Sequence, residues 1–169
     1  MNEKNKEILV LALGNDIMGD DAAGIDAARI LRKDFGRRIN IFEVSSAGFL
    51  LLDIMEGYEK VLIIDSTPVA AGGRAGTIRE LDKVDLSKKF STSPHYVGLP
   101  ELIELAGRLE IKFPRIIKAL VIEIHDSGII REGLSPEIEV RIPSLVEKAS
   151  IILNKWLVEE VSHNGVLCV

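Results

Sequence analysis

The chain has 169 residues, and 47% of them are hydrophobic, which is enough apolar material for one sizeable core. We therefore expect a single domain over residues 1–169. Lysine and arginine total 21 against 26 aspartate and glutamate residues, which leaves a net charge of −5. Without a long basic run, this charge argues against nucleic acids and anionic membranes as partners.

Apolar stretches and cysteine content bear on the compartment. The longest apolar runs, residues 8–13 and 61–64, are far too short to cross a bilayer, and residues 1–7 lack the apolar core of a signal peptide. The single cysteine, Cys168, forms no internal disulfide and is interpreted as an exposed thiol in the tail. These features predict a cytoplasmic location, and they do not define an oligomeric state.

Predicted strands and helices alternate along the chain. Runs rich in β-branched and aliphatic residues predict strands at residues 8–13, 39–44, 61–64 and 119–124, and alternation predicts an edge strand at 76–81. Apolar residues at helical spacing predict helices over residues 22–31, around 49–55, from 99 to 109 and from 145 to 157.

The pattern also predicts the fold class. Most of the strands are continuous apolar runs, which are typical of strands that helices cover on both faces. Ser135 before Pro136 predicts a helix that starts with Ser135 as its N-cap, and Pro143 predicts a kink or a restart of that helix. Together these elements indicate an open α/β sheet with helices on both faces.

Polar side chains follow several of the predicted strands. Asp20 and Asp21 come after the first strand, Asp65 follows the run at 61–64, and His95 lies in a segment that leads into a helix. In open α/β sheets, ligands bind beyond the carboxyl ends of the strands. Two carboxylates and an imidazole can therefore converge on one point.

Such a set suits a borderline divalent ion such as nickel or zinc, and three protein ligands leave positions open for substrate or water. However, these residues lie far apart in the sequence, and no local ligand motif such as HExxH is present. Each also has another interpretation: Asp20 or Asp21 as a helix cap, Asp65 as a turn residue and His95 as a surface histidine.

Glycines 14, 19 and 24 flank the paired aspartates. A glycine after a strand can open a phosphate-binding turn, but the spacing is not GxGxxG. Two carboxylates at the start of the helix would also repel a phosphate. The sequence therefore argues against a dinucleotide site.

Several motifs together resemble one known family. Residues 11–24 read strand-Gly-Asn-x-x-x-x-Asp-Asp-x-x-Gly, and further matching segments are 62–65, the loop leading to 76–78, 93–95 with 98–99, and 133–136. This combination resembles the hydrogenase maturation proteases, which remove a C-terminal extension from the large subunit of nickel-iron hydrogenases. The resemblance covers nearly the whole chain, so it is more specific than any single motif.

The resemblance implies a fold, a site and a substrate. The implied fold is a three-layer α/β/α sandwich with a mixed, mostly parallel sheet of about five strands. The implied metal ligands and catalytic residues are Asp21, Asp65 and His95, with Asp20 serving the helix terminus while Asp21 points into the crevice. The implied metal is nickel supplied by the large-subunit precursor, with zinc or cadmium as substitutes.

Two segments depart from the family pattern. After the second strand the chain reads Glu-Val-Ser-Ser-Ala-Gly at 43–48, and after the last strand it reads Glu-Ile-His-Asp-Ser-Gly at 123–128. The side chains at 45 and 46 leave less room for a substrate to approach the backbone than glycines there would leave. Two alternatives therefore stand beside the main interpretation: a non-catalytic α/β module that binds a ligand or partner, and a family member that processes a different metalloprotein.

Overall fold

The computed structural model describes residues 5–45, 48–89, 99–125 and 130–164. The strands within those ranges are β1 (Asn5–Leu13), β2 (Ile39–Val44), β3 (Lys60–Pro68), β4 (Ile78–Asp82) and β5 (Ile116–Ile124). The helices are α1 (Ala23–Phe35), α2 (Phe49–Met55), α3 (Lys83–Lys89), α4 (Leu99–Arg108), α5 (Pro136–Glu139) and α6 (Ile142–Asn164). A 3-10 turn, Gly19–Ala22, leads into α1.

The strands form one mixed sheet in the order β2-β1-β3-β5-β4. The first four strands of this order pair in parallel, and β4 pairs with β5 in the antiparallel direction. The predicted sheet of five mostly parallel strands is confirmed. The alternating segment is confirmed as an edge strand, since β4 lies at the end of the sheet.

A hydrophobic core covers each face of the sheet. On one face, buried residues of α1 and α6 such as Leu31 and Leu145 pack against alternate strand residues that include Val10. On the other face, Leu51 of α2 and Leu102 of α4 pack against the intervening strand residues. The predicted three-layer arrangement is therefore confirmed.

Three local predictions can be compared with the structure. Strand β3 continues through residues 65–67, which are polar and therefore escape a search for apolar runs. The helix start at Pro136 and the restart near Pro143 are confirmed, because α5 ends at Glu139 and α6 begins at Ile142. Helix α3 was not predicted, although Asp82 marks its start by accepting hydrogen bonds from the backbone N–H groups of Val84 and Asp85.

The parallel strands β1, β2, β3 and β5 all end at the same side of the sheet, which we call the carboxyl edge. The turn before α1 and the loop before α5 lie at this edge, since both follow strands that end there. Among the helices in the described part of the chain, none has both the length and the apolar character needed to span a bilayer.

Candidate active site

Buried polar side chains concentrate at the carboxyl edge. Asp65 is fully buried and Asp21 is 6% exposed, and Ser66, Thr67 and Glu123 are also buried. Within the described ranges, Glu160 of α6 is the one further buried polar side chain. Because polar groups are costly to bury without compensating interactions, their concentration at one edge indicates a site rather than packing.

Ser66 connects the two aspartates. Its backbone N–H donates a hydrogen bond of 2.7 Å to Oδ1 of Asp65, and its hydroxyl donates one of 2.9 Å to Oδ1 of Asp21. The carboxylates of Asp21 and Asp65 therefore lie on either side of one residue, at the end of β3. The sequence pointed to both aspartates and placed Ser66 beside Asp65 after the same strand, but it assigned no role to Ser66.

Two glycines allow the chain to bring Asp21 to this place. Gly14 has a φ of 143°, and a Cβ atom there would lie 2.2 Å from the backbone oxygen of Asp21. A Cβ atom at Gly24 would lie 2.6 Å and 2.7 Å from the backbone oxygens of Ile64 and Leu13. The start of α1 therefore rests directly on Leu13, the last residue of β1, and on Ile64 in the middle of β3, and the two glycines allow this close backbone packing.

Asp20 has a different environment from Asp21. Its Oδ1 accepts hydrogen bonds from the backbone N–H of Ser135 at 2.5 Å and from Arg131 Nη2 at 3.1 Å, and its Oδ2 accepts one from Ser135 Oγ at 2.8 Å. The expectation that Asp20 caps the helix is wrong, because these donors come from a distant loop. The prediction that Ser135 is the N-cap residue of α5 is confirmed, although its hydroxyl donates to Asp20 and forms no side-chain cap hydrogen bond with the helix.

Glu123 is a second buried carboxylate on the described part of β5. Its Oε1 lies 2.7 Å from Nη2 of Arg79 on β4, and its side chain is 3% exposed. Its Oε2 is buried without a hydrogen-bond partner among the described residues, and it lies 2.9 Å from where a Cβ atom at Gly73 would stand. Parallel pairing places Glu123 opposite Thr67, two residues beyond Asp65 on the same face.

A surface ion-pair cluster lies beside the turn that carries Asp21. Arg29 of α1 binds Asp16 at 3.2 Å and Glu43 at 3.1 Å, and it lies 3.7 Å from Asp26. The pKa of Arg29 is raised, chiefly by its hydrogen bond to Asp16. Burial raises the pKa of Asp26, although Arg29 acts in the opposite direction. Asp16 is 55% exposed, so it belongs to this surface cluster and not to the buried pair.

His95, the third predicted ligand, lies outside the described residues, as do Ser46 and residues 126–128 of the two departing segments. Over the residues that are described, no three histidine, cysteine, aspartate or glutamate side chains form a group suited to holding a metal ion. The structure thus brings together Asp21 and Asp65, and the complete set of three ligands stays a prediction.

Comparison with known proteins bears on what this edge does. A family model described as hydrogenase maturation protease matches residues 27–152. The chain belongs to the hydrogenase maturation protease family. The resemblance drawn from the motifs is confirmed by this match.

Relatives and solved structures agree with this assignment. The hydrogenase 2 maturation protease of Escherichia coli K12 is 28% identical over 163 residues, which cover 94% of this chain and 98% of the relative. The hydrogenase maturating endopeptidase HybD from E. coli superposes with a TM-score of 0.76 at 25% identity, over 88% of this chain and 93% of that chain. HybD from Thermococcus kodakarensis gives a TM-score of 0.69 at 28% identity, over 86% and 98% of the two chains.

Proposed function

We propose that this chain is an endopeptidase that removes the C-terminal extension of a nickel-iron hydrogenase large-subunit precursor. In this proposal Asp21, Asp65 and His95 recognise the nickel ion already inserted in the precursor and carry the catalytic site. Membership of the hydrogenase maturation protease family supports the class of reaction. The observation that carries the site is the pair of buried carboxylates on either side of Ser66.

The electrostatics of this pair favour a divalent cation. Asp21 and Asp65 are both buried and both form hydrogen bonds with Ser66. A cation bound by both carboxylates would offset the repulsion between their charges and the cost of burying them. Carboxylate oxygens with one imidazole nitrogen suit nickel, and zinc or cadmium are expected to substitute for it. Three protein ligands leave coordination positions for groups of the precursor.

Because the nickel ion belongs to the precursor, it is part of the substrate. Holding this ion at the end of β3 would fix the attached polypeptide against the carboxyl edge. The scissile bond would then be held in a defined position relative to the catalytic carboxylates. The carboxylates of Asp21 and Asp65 are hydrogen-bond acceptors, so they can take a proton from a water molecule that attacks the scissile bond.

The proposal is tested with nickel-loaded and nickel-free precursor and the variants Asp65→Ala and His95→Ala. The wild-type protein is expected to shorten the loaded precursor and to leave the nickel-free precursor intact. Each variant is expected to process the loaded precursor about 100-fold more slowly or worse, because the ion and the scissile bond are misplaced. Intact-mass spectrometry measures the loss of the tail over time.

Asp16→Ala is the matched control, because Asp16 is an aspartate of the same loop region that pairs with Arg29 at the surface. It is expected to process the precursor at the wild-type rate. Normal processing by both Asp65→Ala and His95→Ala would contradict the proposal. Circular dichroism at the assay temperature confirms that each variant is folded.

The second candidate is a family member that acts on another metalloprotein. It is favoured by the side chains that stand in the two departing segments, among them the exposed Ser45 and the buried Glu123 beside the candidate site. A panel of metalloprotein precursors separates the two candidates by which one loses mass. If no precursor is shortened and the protein purifies with a bound small molecule, the non-catalytic binding module is favoured.

The cytoplasmic location stays a prediction.

A further inference from the structure

Asp20 joins two segments that are remote in the chain. It accepts three hydrogen bonds, two from Ser135 and one from Arg131. We call these three residues the Asp20 clasp. The side chain of Asp20 is 12% exposed, so the clasp is largely shielded from water, and hydrogen bonds to a carboxylate are stronger than those between neutral groups.

Backbone pairing runs beside the clasp. The N–H of Gly19 donates to the backbone oxygen of Arg131 at 2.8 Å, and the N–H of Arg131 donates to that of Ile17 at 3.1 Å. Met18 and Arg131 therefore form a short parallel bridge next to the Asp20 clasp. The 3-10 turn Gly19–Ala22 is thus attached to the loop before α5 through both side chains and backbone.

The turn held in this way carries Asp21. Asp21 is the residue after Asp20. Its carboxylate accepts a hydrogen bond from the hydroxyl of Ser66 in β3, on the side of the turn away from the clasp. Its backbone oxygen lies over Gly14, where no side chain occupies the space. A shift of the turn would therefore move the Asp21 carboxylate relative to Asp65, which is anchored in a central strand of the sheet.

We propose that Asp20 is a positioning residue, which holds Asp21 at the candidate active site through its hydrogen bonds to Ser135 and Arg131. This inference rests on the proposed function, and it explains why the chain has two adjacent aspartates. One binds the loop before α5, and the other faces the end of β3.

The test compares Asp20→Ala with Asp20→Asn in the processing of nickel-loaded precursor. Alanine removes every acceptor of the clasp, and we expect kcat/KM to fall about tenfold to 100-fold, as misplaced catalytic groups do. Asparagine keeps one oxygen for the Ser135 N–H and offers an N–H to the Ser135 hydroxyl, so it restores the geometry without the charge. We expect Asp20→Asn to process the precursor within about threefold of the wild-type rate.

A variant matched in stability separates positioning from general stabilisation. Ile152 is a buried residue in the middle of α6, and its truncation to valine or alanine can be chosen to lower Tm as much as Asp20→Ala does. Assayed well below both Tm values, this control is expected to keep the wild-type rate. If it loses as much activity as Asp20→Ala, or if Asp20→Asn is as slow as Asp20→Ala, the positioning role is wrong.

Two further variants apply if Asp20→Ala does not fold. Ser135→Ala and Arg131→Ala each remove one side-chain donor of the clasp, and each is expected to lower kcat/KM by about threefold to tenfold. Wild-type rates in both would overturn the inference. Normal processing by Asp21→Ala would instead overturn the proposed function, whereas slow Asp21→Ala with fast Asp20→Ala would remove the positioning role alone.

Discussion

The two halves of β3 have similar burial and opposite chemistry. Residues 61–64 are aliphatic and fully buried, and they fill the cores on the two faces of the sheet. Residues 65–67 are polar and nearly as buried, and Asp65 and Ser66 form hydrogen bonds with neighbouring polar groups. The first half needs only suitable volume, whereas the second half needs particular partners.

This contrast separates packing from function in a single strand. Apolar burial stabilises the fold, and many aliphatic residues of similar size can supply it. Buried carboxylates oppose folding unless hydrogen bonds or cations compensate for them. We therefore expect substitutions in the middle of the sheet to change stability alone. Substitutions at the carboxyl edge should change activity, and they should also change stability where a buried charge loses its partner.

The largest expected effect on stability lies in the middle of β3. Ile63→Ala removes a fully buried side chain from the core between the sheet and α2 to α4, and should lower the free energy of unfolding by about 2–5 kcal/mol. Processing of the precursor well below Tm should be unchanged. Ile151→Ala, at a 63% exposed position, is the control and should change stability by less than about 0.5 kcal/mol. A folded Ile63→Ala protein without activity would contradict this division between residues for stability and residues for activity.

The next largest effect involves both halves of β3, because Gly24 packs against the backbone of Ile64, the residue before Asp65. Gly24→Ala places a Cβ atom 2.6 Å and 2.7 Å from two backbone oxygens, so α1 must move away from the sheet. We expect a loss of about 1–3 kcal/mol in unfolding free energy, and slower processing because the turn that carries Asp21 precedes this helix.

The same substitution at Gly107 is the control for Gly24→Ala. Gly107 lies in α4, and a Cβ atom there meets no heavy atom within 4 Å. Since alanine is the better helix former, Gly107→Ala should raise the free energy of unfolding by about 0.5–1 kcal/mol. Thermal unfolding measures the change in Tm of each variant. A lower Tm for Gly24→Ala with a higher Tm for Gly107→Ala would support the close approach of α1 to the sheet, and a change in the same direction for both would contradict it.

The smallest expected effect concerns the buried carboxylate of Glu123. Arg79→Ala leaves this carboxylate without its cation, and we expect a loss of about 1–2 kcal/mol after allowing for the half-exposed guanidinium. Arg79→Ala with Glu123→Leu should recover part of this loss, because the buried charge is then removed as well. Urea unfolding of both proteins measures the difference. If the double variant is no more stable than Arg79→Ala, the charges of Arg79 and Glu123 do not stabilise the fold in this way.

Much of the fold was predictable because it follows from local periodicity. The bounds of β2 match the prediction from 39 to 44, and the restart of the last helix follows from Pro143. The end of β3 and the whole of α3 were missed for different reasons. Asp65 and Ser66 are polar residues in a buried strand, so a search for apolar runs ends before them. The main sequence signal for α3 is the capping side chain of Asp82, and not an apolar periodicity.

The site was only partly predictable, because its contacts join distant segments. Asp21 and Asp65 were selected as polar residues at the ends of strands, and the structure places both around Ser66. No periodicity connects Asp20 with Ser135 or Glu123 with Arg79. Such pairs depend on how whole elements pack, which the spacing of residues along one chain does not encode.

The clasp also bears on the order of events during synthesis. Asp20 and Ser135 are 115 residues apart, so a ribosome must complete β5 and release the following loop before the two can meet. Until then the first aspartate of the pair has no partner from that loop. A chain still being translated therefore lacks this connection, and the turn that carries Asp21 is held in place only after β5 and the loop that follows it have left the ribosome.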